Sequence, residues 1–310
     1  LFETFELRVC ELFFGYETIA ICVGAIKEKT LRLLTTLRRC SNNDTATDQP
    51  QNHRNAYYCL IHFQTFRVQA LANIVGSTAK ADQWRFWMLN FHTDIEFEYG
   101  VVDRLSPRIR RVIANNPSPF TFTGTGTYII GNGNVAVIDP GPLLDEHVEA
   151  ILDALQPDER VSHILVTHTH LDHSPACTPL QARTNAPIYG CPPPKPETFD
   201  GPRLEEDADD AFKPDHVVAD GDIINGADWT LEAVATPGHM ANHVCYALKE
   251  EKTLFTGDHV MGWSTSIIAP PDGNMQDYMA SLARLLRRDD ELYWPTHGPC
   301  IPNPKEFVEG

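Results

Sequence analysis

The chain has 310 residues, 42% of them hydrophobic, and a net charge of -17, which is enough apolar material for one large α/β domain with an appendage. Residues 1–87 hold 10 Lys/Arg against 8 Asp/Glu, a balance of +2, so residues 88–310 carry about -19 and are poorly suited to sequence-independent phosphate binding. The eight cysteines form no CxxC pair and no disulfide framework, and Cys177, Cys191, Cys245 and Cys300 read as reduced packing residues, with Cys177 also weighed as a weak outer ligand.

Taken in chain order, the apolar stretch from Leu12 to Ile26 is interrupted by Glu17 and has no basic segment before it. Neither a signal peptide nor a membrane span is supported, and a cytoplasmic location is expected. Leu31, Leu34 and Leu37 recur at helical spacing within Lys27–Cys40, and a polar run from Ser41 to Asn55 follows. The texture of residues 1–87 differs from the rest. The leading account is an upstream translation artefact with Met88 as the true start, the alternative an interaction segment, and much of it is expected to be poorly ordered.

From Val101 the organisation is cleaner. A short amphipathic piece at Ile109–Ile113 precedes two strands, Thr127–Ile130 and Val135–Ile138, joined by the hairpin signal Gly131-Asn132-Gly133-Asn134. A helix is predicted from Leu144 to Leu155, with Val148, Ile151, Leu152 and Leu155 on one face. The apolar run Ile164-Leu165-Val166 then leads into His168-Thr-His-Leu-Asp-His173, four potential ligands in six positions. A helix over His173–Arg183 and a strand over Pro187–Gly190 follow, then a surface loop with an acidic stretch from Glu197 to Asp210. Strands around Val217, Ile223 and Leu231 restore the alternation. Met275–Arg288 reads as an amphipathic helix that buries Tyr278, Met279, Leu282, Leu285 and Leu286.

The chemistry lies where apolar strands run into turns. His168, His170, Asp172 and His173 follow one strand, and His239 sits in Thr236-Pro-Gly-His239 after another. Asp258 follows Leu254-Phe255, and His297 lies in Trp294-Pro-Thr-His-Gly-Pro299. Ligands at several strand ends imply one shared cleft. Imidazole nitrogen and carboxylate oxygen suit zinc and similar cations, and two such ions side by side activate a water between them.

In this order the pieces resemble the metallo-β-lactamase superfamily, a four-layer αββα sandwich, from about residue 100 to the end. The nearest pattern is the branch containing beta-lactamase-like protein 2, which shares a His four residues after the Pro-Gly-His turn, here His243, with Trp263-Ser264-Thr265 and Asp277-Tyr278-Met279. Thr296 departs from the Gly usual there. The resemblance implies one metal on His168, His170 and His239 and a second on Asp172, His173 and His297, with Asp258 shared and Asp139 supporting the metal turn. It implies two zinc ions, with iron or manganese as alternatives, and a hydroxide between them, with Asp172 and Asp258 as the carboxylates of the reaction. It also implies that the chain stops short of a small C-terminal winged-helix-like domain.

The expected function is metal-dependent hydrolysis of a small acyl or thioester substrate. A single-stranded-RNA endonuclease is the alternative, and a persulfide dioxygenase with one iron on His168, His239 and Asp258 is a third reading. Trp263, Ser264 and Thr265 are candidate substrate contacts. His243 reads as structural or ligand-orienting and His259 as packing. His147 and His163 read as surface or partly buried, and His53, His62, His92 and His216 carry no signal.

Overall fold

Tyr128 and Ile130 leave their strand on one side and Ile129 on the other, and this period of two sets the layers of the molecule. The computed structural model describes residues 91–194 and 208–309; the candidate helix at Lys27–Cys40, the polar run after it and most of the acidic stretch from Glu197 lie outside the described residues.

One sheet has seven strands in sequential order. They are β1 (Asp103–Arg104), β2 (Ile109–Ile113), β3 (Gly126–Ile130), β4 (Asn134–Ile138), β5 (Arg160–Leu165), β6 (Ile188–Gly190) and β7 (His216–Val217). β1 to β4 pair antiparallel, and β4 to β7 run parallel. Between the parallel strands lie α1 (Asp145–Asp153) and α2 (Cys177–Thr184), the crossovers that parallel pairing requires. The second sheet has six strands. They are β8 (Ile223–Asn225), β9 (Thr230–Ala235), β10 (Val244–Leu248), β11 (Thr253–Gly257), β12 (Leu292–Pro295) and β13 (Ile301–Pro302). A short turn of 3-10 helix, Lys249–Glu251, links β10 to β11, and α3 (Met275–Leu285) links β11 to its parallel partner β12. A last helix, α4, covers Pro304–Glu309.

Three apolar clusters separate four layers. Ile129, Val135, Val137 and Ile164 pack with Val148 and Ile151 of α1 and Leu180 of α2. Tyr128, Ile130, Ile138 and Leu165 meet Leu231, Tyr246, Phe255 and Trp294 between the sheets. Val234, Cys245 and Leu254 meet Leu285 of α3 on the far side. This is the αββα sandwich the sequence resemblance implied. The hairpin between β3 and β4 is also present, with Gly131 and Gly133 at positive φ as its turn requires.

Four local expectations need correction. Ile109–Ile113 is not an amphipathic piece but a wholly buried strand, because Arg110 and Arg111 find partners inside. The predicted helix at His173 starts only at Cys177: the Ala176 amide donates to Gly141 O, so the preceding residues cannot enter the helical ladder. On α3, Met279 is 57% exposed, and the buried face is formed by Leu285 and Ser281, whose hydroxyl donates to Pro237 O at 2.8 Å. His147 is fully inside rather than near the surface.

Candidate metal centre

The C-terminal ends of β4, β5, β9, β11 and β12 all point to one edge of the sandwich, and the loops leaving them carry the site. Asp139, buried and at positive φ directly after β4, organises the first loop. Its Oδ1 accepts from the Thr167 amide at 2.8 Å. Its Oδ2 accepts from Thr167 Oγ1, His173 Nδ1 and Thr296 Oγ1 at 2.8, 2.9 and 2.9 Å. The Thr at 296, where the related pattern has Gly, therefore supplies a donor to the same carboxylate.

These contacts fix where each imidazole carries its proton. His173 donates from Nδ1 to Asp139, and His239 donates from Nδ1 to Ile267 O at 2.7 Å. His297 donates from Nδ1 to Gly124 O at 3.2 Å. The Thr167 hydroxyl hydrogen is given to Asp139, so its oxygen accepts from His168 Nδ1 at 3.0 Å. In His168 and His239 the Nε2 lone pair is left facing inward, and in His173 and His297 Nε2 is the inward nitrogen, whose lone pair is freed when its proton leaves. His170 turns Nδ1 inward instead, 3.0 Å from His168 Nε2 and 3.1 Å from His239 Nε2.

The seven candidates come together. His168, His170 and His239 form one triad and Asp172, His173 and His297 another, while His168, His173 and Asp258 form a third group across the two. Asp258 Oδ2 is 3.3 Å from His297 Nε2 and 4.0 Å from His239 Nε2, so its carboxylate lies between both triads. Asp172 Oδ2 receives the Thr125 hydroxyl at 3.1 Å and lies 3.1 Å from His297 Nε2.

The residues fit a metal. Three imidazole nitrogens meet in the first triad with too few protons to bridge them, and tetrahedral ligands of one zinc ion would sit about 3.3 Å apart. His173 Nε2 and Asp258 Oδ1, both buried, have no hydrogen-bond partner and face each other at 3.6 Å. Donors of this kind, nitrogen and oxygen together, suit divalent first-row cations.

The two triads differ in charge. Burial, reinforced by the neighbouring imidazoles, holds His168 well below the ordinary histidine range and His170 at about 3. Burial also disfavours charge on His173 and His297, but the surrounding carboxylates outweigh it. They raise His173 well above its usual value and bring His297 to about 10. Burial would raise Asp172 and Asp258, yet the His173 and His297 charges hold both below the usual carboxylate range.

An open cleft lies over the triads, lined by His170, Asp172, His239, Asp258 and His297 together with Phe120, Met261 and Ile267. Trp263, Ser264 and Thr265 are not among its walls; Trp263 instead stacks on Phe122 at 4.9 Å and 14°. Cys177 is buried in the core outside the ligand groups, and burial pushes its thiol up. Sequence reasoning missed Thr125, Phe120, Met261 and the Ile267 carbonyl. Thr125 had a visible signal, a small polar residue between Gly124 and Gly126 just before a strand. The others had none, because a wall residue and a carbonyl acceptor are set by loop geometry.

Residues 121–297 match the metallo-beta-lactamase superfamily. The chain belongs to that superfamily. A Beta-lactamase-like protein 2 homolog from Caenorhabditis elegans is 30% identical over 215 residues, covering 67% of each chain. An atrochrysone carboxyl ACP thioesterase from Paecilomyces divaricatus is 34% identical over 210 residues, 65% of this chain and 59% of that one. The fold of the superfamily is seen in a Beta-lactamase domain protein from Burkholderia ambifaria, at TM-score 0.57 and 20% identity over 70% of this chain and 75% of the other. No helix among the described residues is long and apolar enough to cross a membrane.

Proposed function

We propose that this superfamily member is a hydrolase that holds two divalent cations, zinc first among the candidates, and cleaves small acyl thioesters. The observation that carries the reading is the composition of the cleft. Beyond the His and Asp donors its walls among the described residues are Phe120, Met261 and Ile267, with no lysine or arginine among them. A phosphodiester strand would demand positive charge there, whereas an uncharged acyl group needs apolar surface. The thioesterase name of the Paecilomyces relative supports the same substrate class.

On this reading His168, His170 and His239 hold one cation, Asp172, His173 and His297 the other, and Asp258 serves both. When bound, such ions supply Lewis acidity to a substrate oxygen and lower the pKa of a nearby water. The chain's own part is positioning. Asp139, Ile267 O and Gly124 O hold the imidazole tautomers, so the donor set needs no reorganisation. Asp172 and Asp258 border the cleft as hydrogen-bond acceptors that would orient an attacking water, whose proton passes on to the departing sulfur. Water oxygen bonds to the acyl carbon, the carbon–sulfur bond breaks, and the thiol leaves with a proton. Phe120, Met261 and Ile267 keep bulk water from the acyl chain.

The test is elemental analysis of the purified protein together with turnover of an acyl thioester and a single-stranded RNA across a salt series. About two zinc per chain with salt-insensitive thioester cleavage is the expected result. RNA cleavage that falls steeply with salt, or a single iron per chain, would overturn it.

A further inference from the structure

His243 is fully buried beside the centre but belongs to none of the three ligand groups. Its Nε2 lies 3.3 Å from the backbone N of Asp258, and its Nδ1 lies 2.9 Å from Thr236 Oγ1. A peptide N–H only donates, so Nε2 is the acceptor and the ring proton resides on Nδ1. That proton goes to Thr236 Oγ1, which frees the threonine hydroxyl to donate onward to Cys245 Sγ at 3.2 Å. The thiol in turn points at Thr256 O, 3.6 Å away. Every bond in the chain runs in one direction, and the chain closes on a carbonyl two residues before Asp258. The same ring stacks on His168, with centroids 5.0 Å apart and planes 29° apart.

The backbone is shaped for this approach. Gly257 has φ +53, and a Cβ there would come within 2.6 Å of His243 Nε2. Any side chain at 257 would push the imidazole off the Asp258 amide.

We propose that His243 is a positioning residue. Locked as the neutral Nδ1–H tautomer by the Thr236–Cys245–Thr256 chain, it fixes the backbone of Asp258 and the ring plane of His168. The inference rests on the reading of Asp258 and His168 as ligands. It adds that one buried imidazole sets the register between the two triads.

Two near-isosteres separate the contacts. In His243→Gln the amide oxygen reaches the Nε2 position and can still accept from Asp258 N–H, whereas in His243→Asn the amide nitrogen reaches only the Nδ1 position and keeps Thr236. Zn2+ affinity, measured by competition with a chelator on variants whose circular dichroism matches the parent, is expected to stay close to wild type in His243→Gln. In His243→Asn and His243→Ala it should weaken by about 10- to 100-fold. In the cation-free protein, imidazole 15N shifts should show Nδ1 protonated and Nε2 bare. Asn and Ala variants binding Zn2+ as tightly as wild type, or a ring protonated at Nε2, would overturn the role of His243. A wild-type protein that takes up no Zn2+ would instead overturn the reading of the centre itself, and Asp258→Asn binding as wild type would do the same.

Discussion

Asp139 Oδ2 sits 2.9 Å from His173 Nδ1 and joins a residue after β4 to a ligand candidate 34 positions later. The same oxygen takes the hydroxyls of Thr167 and Thr296, so one carboxylate ties together the loops after β4, β5 and β12. Replacing it by Asn turns one of these acceptor sites into a donor, and at least one partner is left facing an N–H. Asp139→Asn should weaken Zn2+ retention by about 10- to 100-fold and cost about 1–3 kcal/mol of stability. Chelator competition and denaturant unfolding measure the two effects separately. Unchanged values in both would show that Asp139 only fills space.

The charge difference between the triads predicts how metal binding couples to protons. Burial pushes the pKa values of His168, His170 and His239 down and so favours their neutral forms at pH 7, whereas the neighbouring carboxylates push those of His173 and His297 up and favour their protonated forms before a cation binds. Loading the second triad must expel those protons. Calorimetric Zn2+ titration in buffers of different ionisation enthalpy should show little proton release for the first ion and about two protons for the second. The affinity of the second ion should rise as pH climbs toward 10, the value of His297. Equal release for both ions would contradict the asymmetry.

His147 predicts a pH dependence of folding. Thr127 gives its hydroxyl hydrogen to Asp139 O and accepts from His147 Nε2, so Nδ1 is the bare nitrogen, buried without a partner. Protonation would put an unsatisfied N–H there, and burial lowers the pKa from 6.5 to about 4. The folded state thus binds fewer protons than the unfolded chain. The contribution is complete above pH 6.5 and is lost as pH falls from 6.5 to about 4, up to about 3 kcal/mol in all. Unfolding midpoints of the parent should drop over this range more steeply than those of His147→Gln. Parallel curves would refute the assignment.

Much of the site could be read from sequence because each candidate follows an apolar strand, and at His239, Asp258 and His297 the strand also ends beside Gly or Pro. The layers were legible for the same reason: Tyr128, Ile129 and Ile130 sort to opposite faces by parity alone. What could not be read depends on partners distant in sequence. Met279 fits a helical stripe by spacing, but α3 turns Ser281 toward the Pro237 turn and leaves Met279 in solvent. His147 looked like a helix-surface residue because its partner Thr127 lies on β3. Arg110 and Arg111 broke an apolar run that is nonetheless a central strand.

The cleft wall gives a test of substrate class. Met261, 6% exposed, meets the cleft beside Asp258, and an arginine there would bring a cation to walls that hold no lysine or arginine among the described residues. Met261→Arg should raise KM for apolar acyl thioesters, since burying the acyl chain against Met261 is worth about 1–3 kcal/mol. It should also raise affinity for single-stranded RNA in a salt-dependent way. Steady-state kinetics with thioesters of increasing acyl length, run beside RNA binding at two salt concentrations, separates the two effects. KM independent of acyl length in the parent would mean that the apolar wall does not hold the substrate.

The pair formed by Arg110 and Glu159 predicts a loss confined to stability. Arg110 Nη1 and Nη2 lie 2.7 and 2.9 Å from the two Glu159 oxygens, with side chains 4% and 3% exposed. The guanidinium also donates to Ala154 O and Gly131 O, which anchors the end of α1 and the β3–β4 hairpin to β2. Removing one partner leaves a buried charge without its counterion, at a cost of about 3–5 kcal/mol. Glu159→Ala should therefore unfold at markedly lower denaturant than the parent, while Arg110→Met with Glu159→Leu recovers much of the loss because no charge is left stranded. Neither residue touches the cleft, so Zn2+ content and turnover of the folded fraction should match the parent. A single variant as stable as the double one would show that the pair is solvated in solution and contributes nothing.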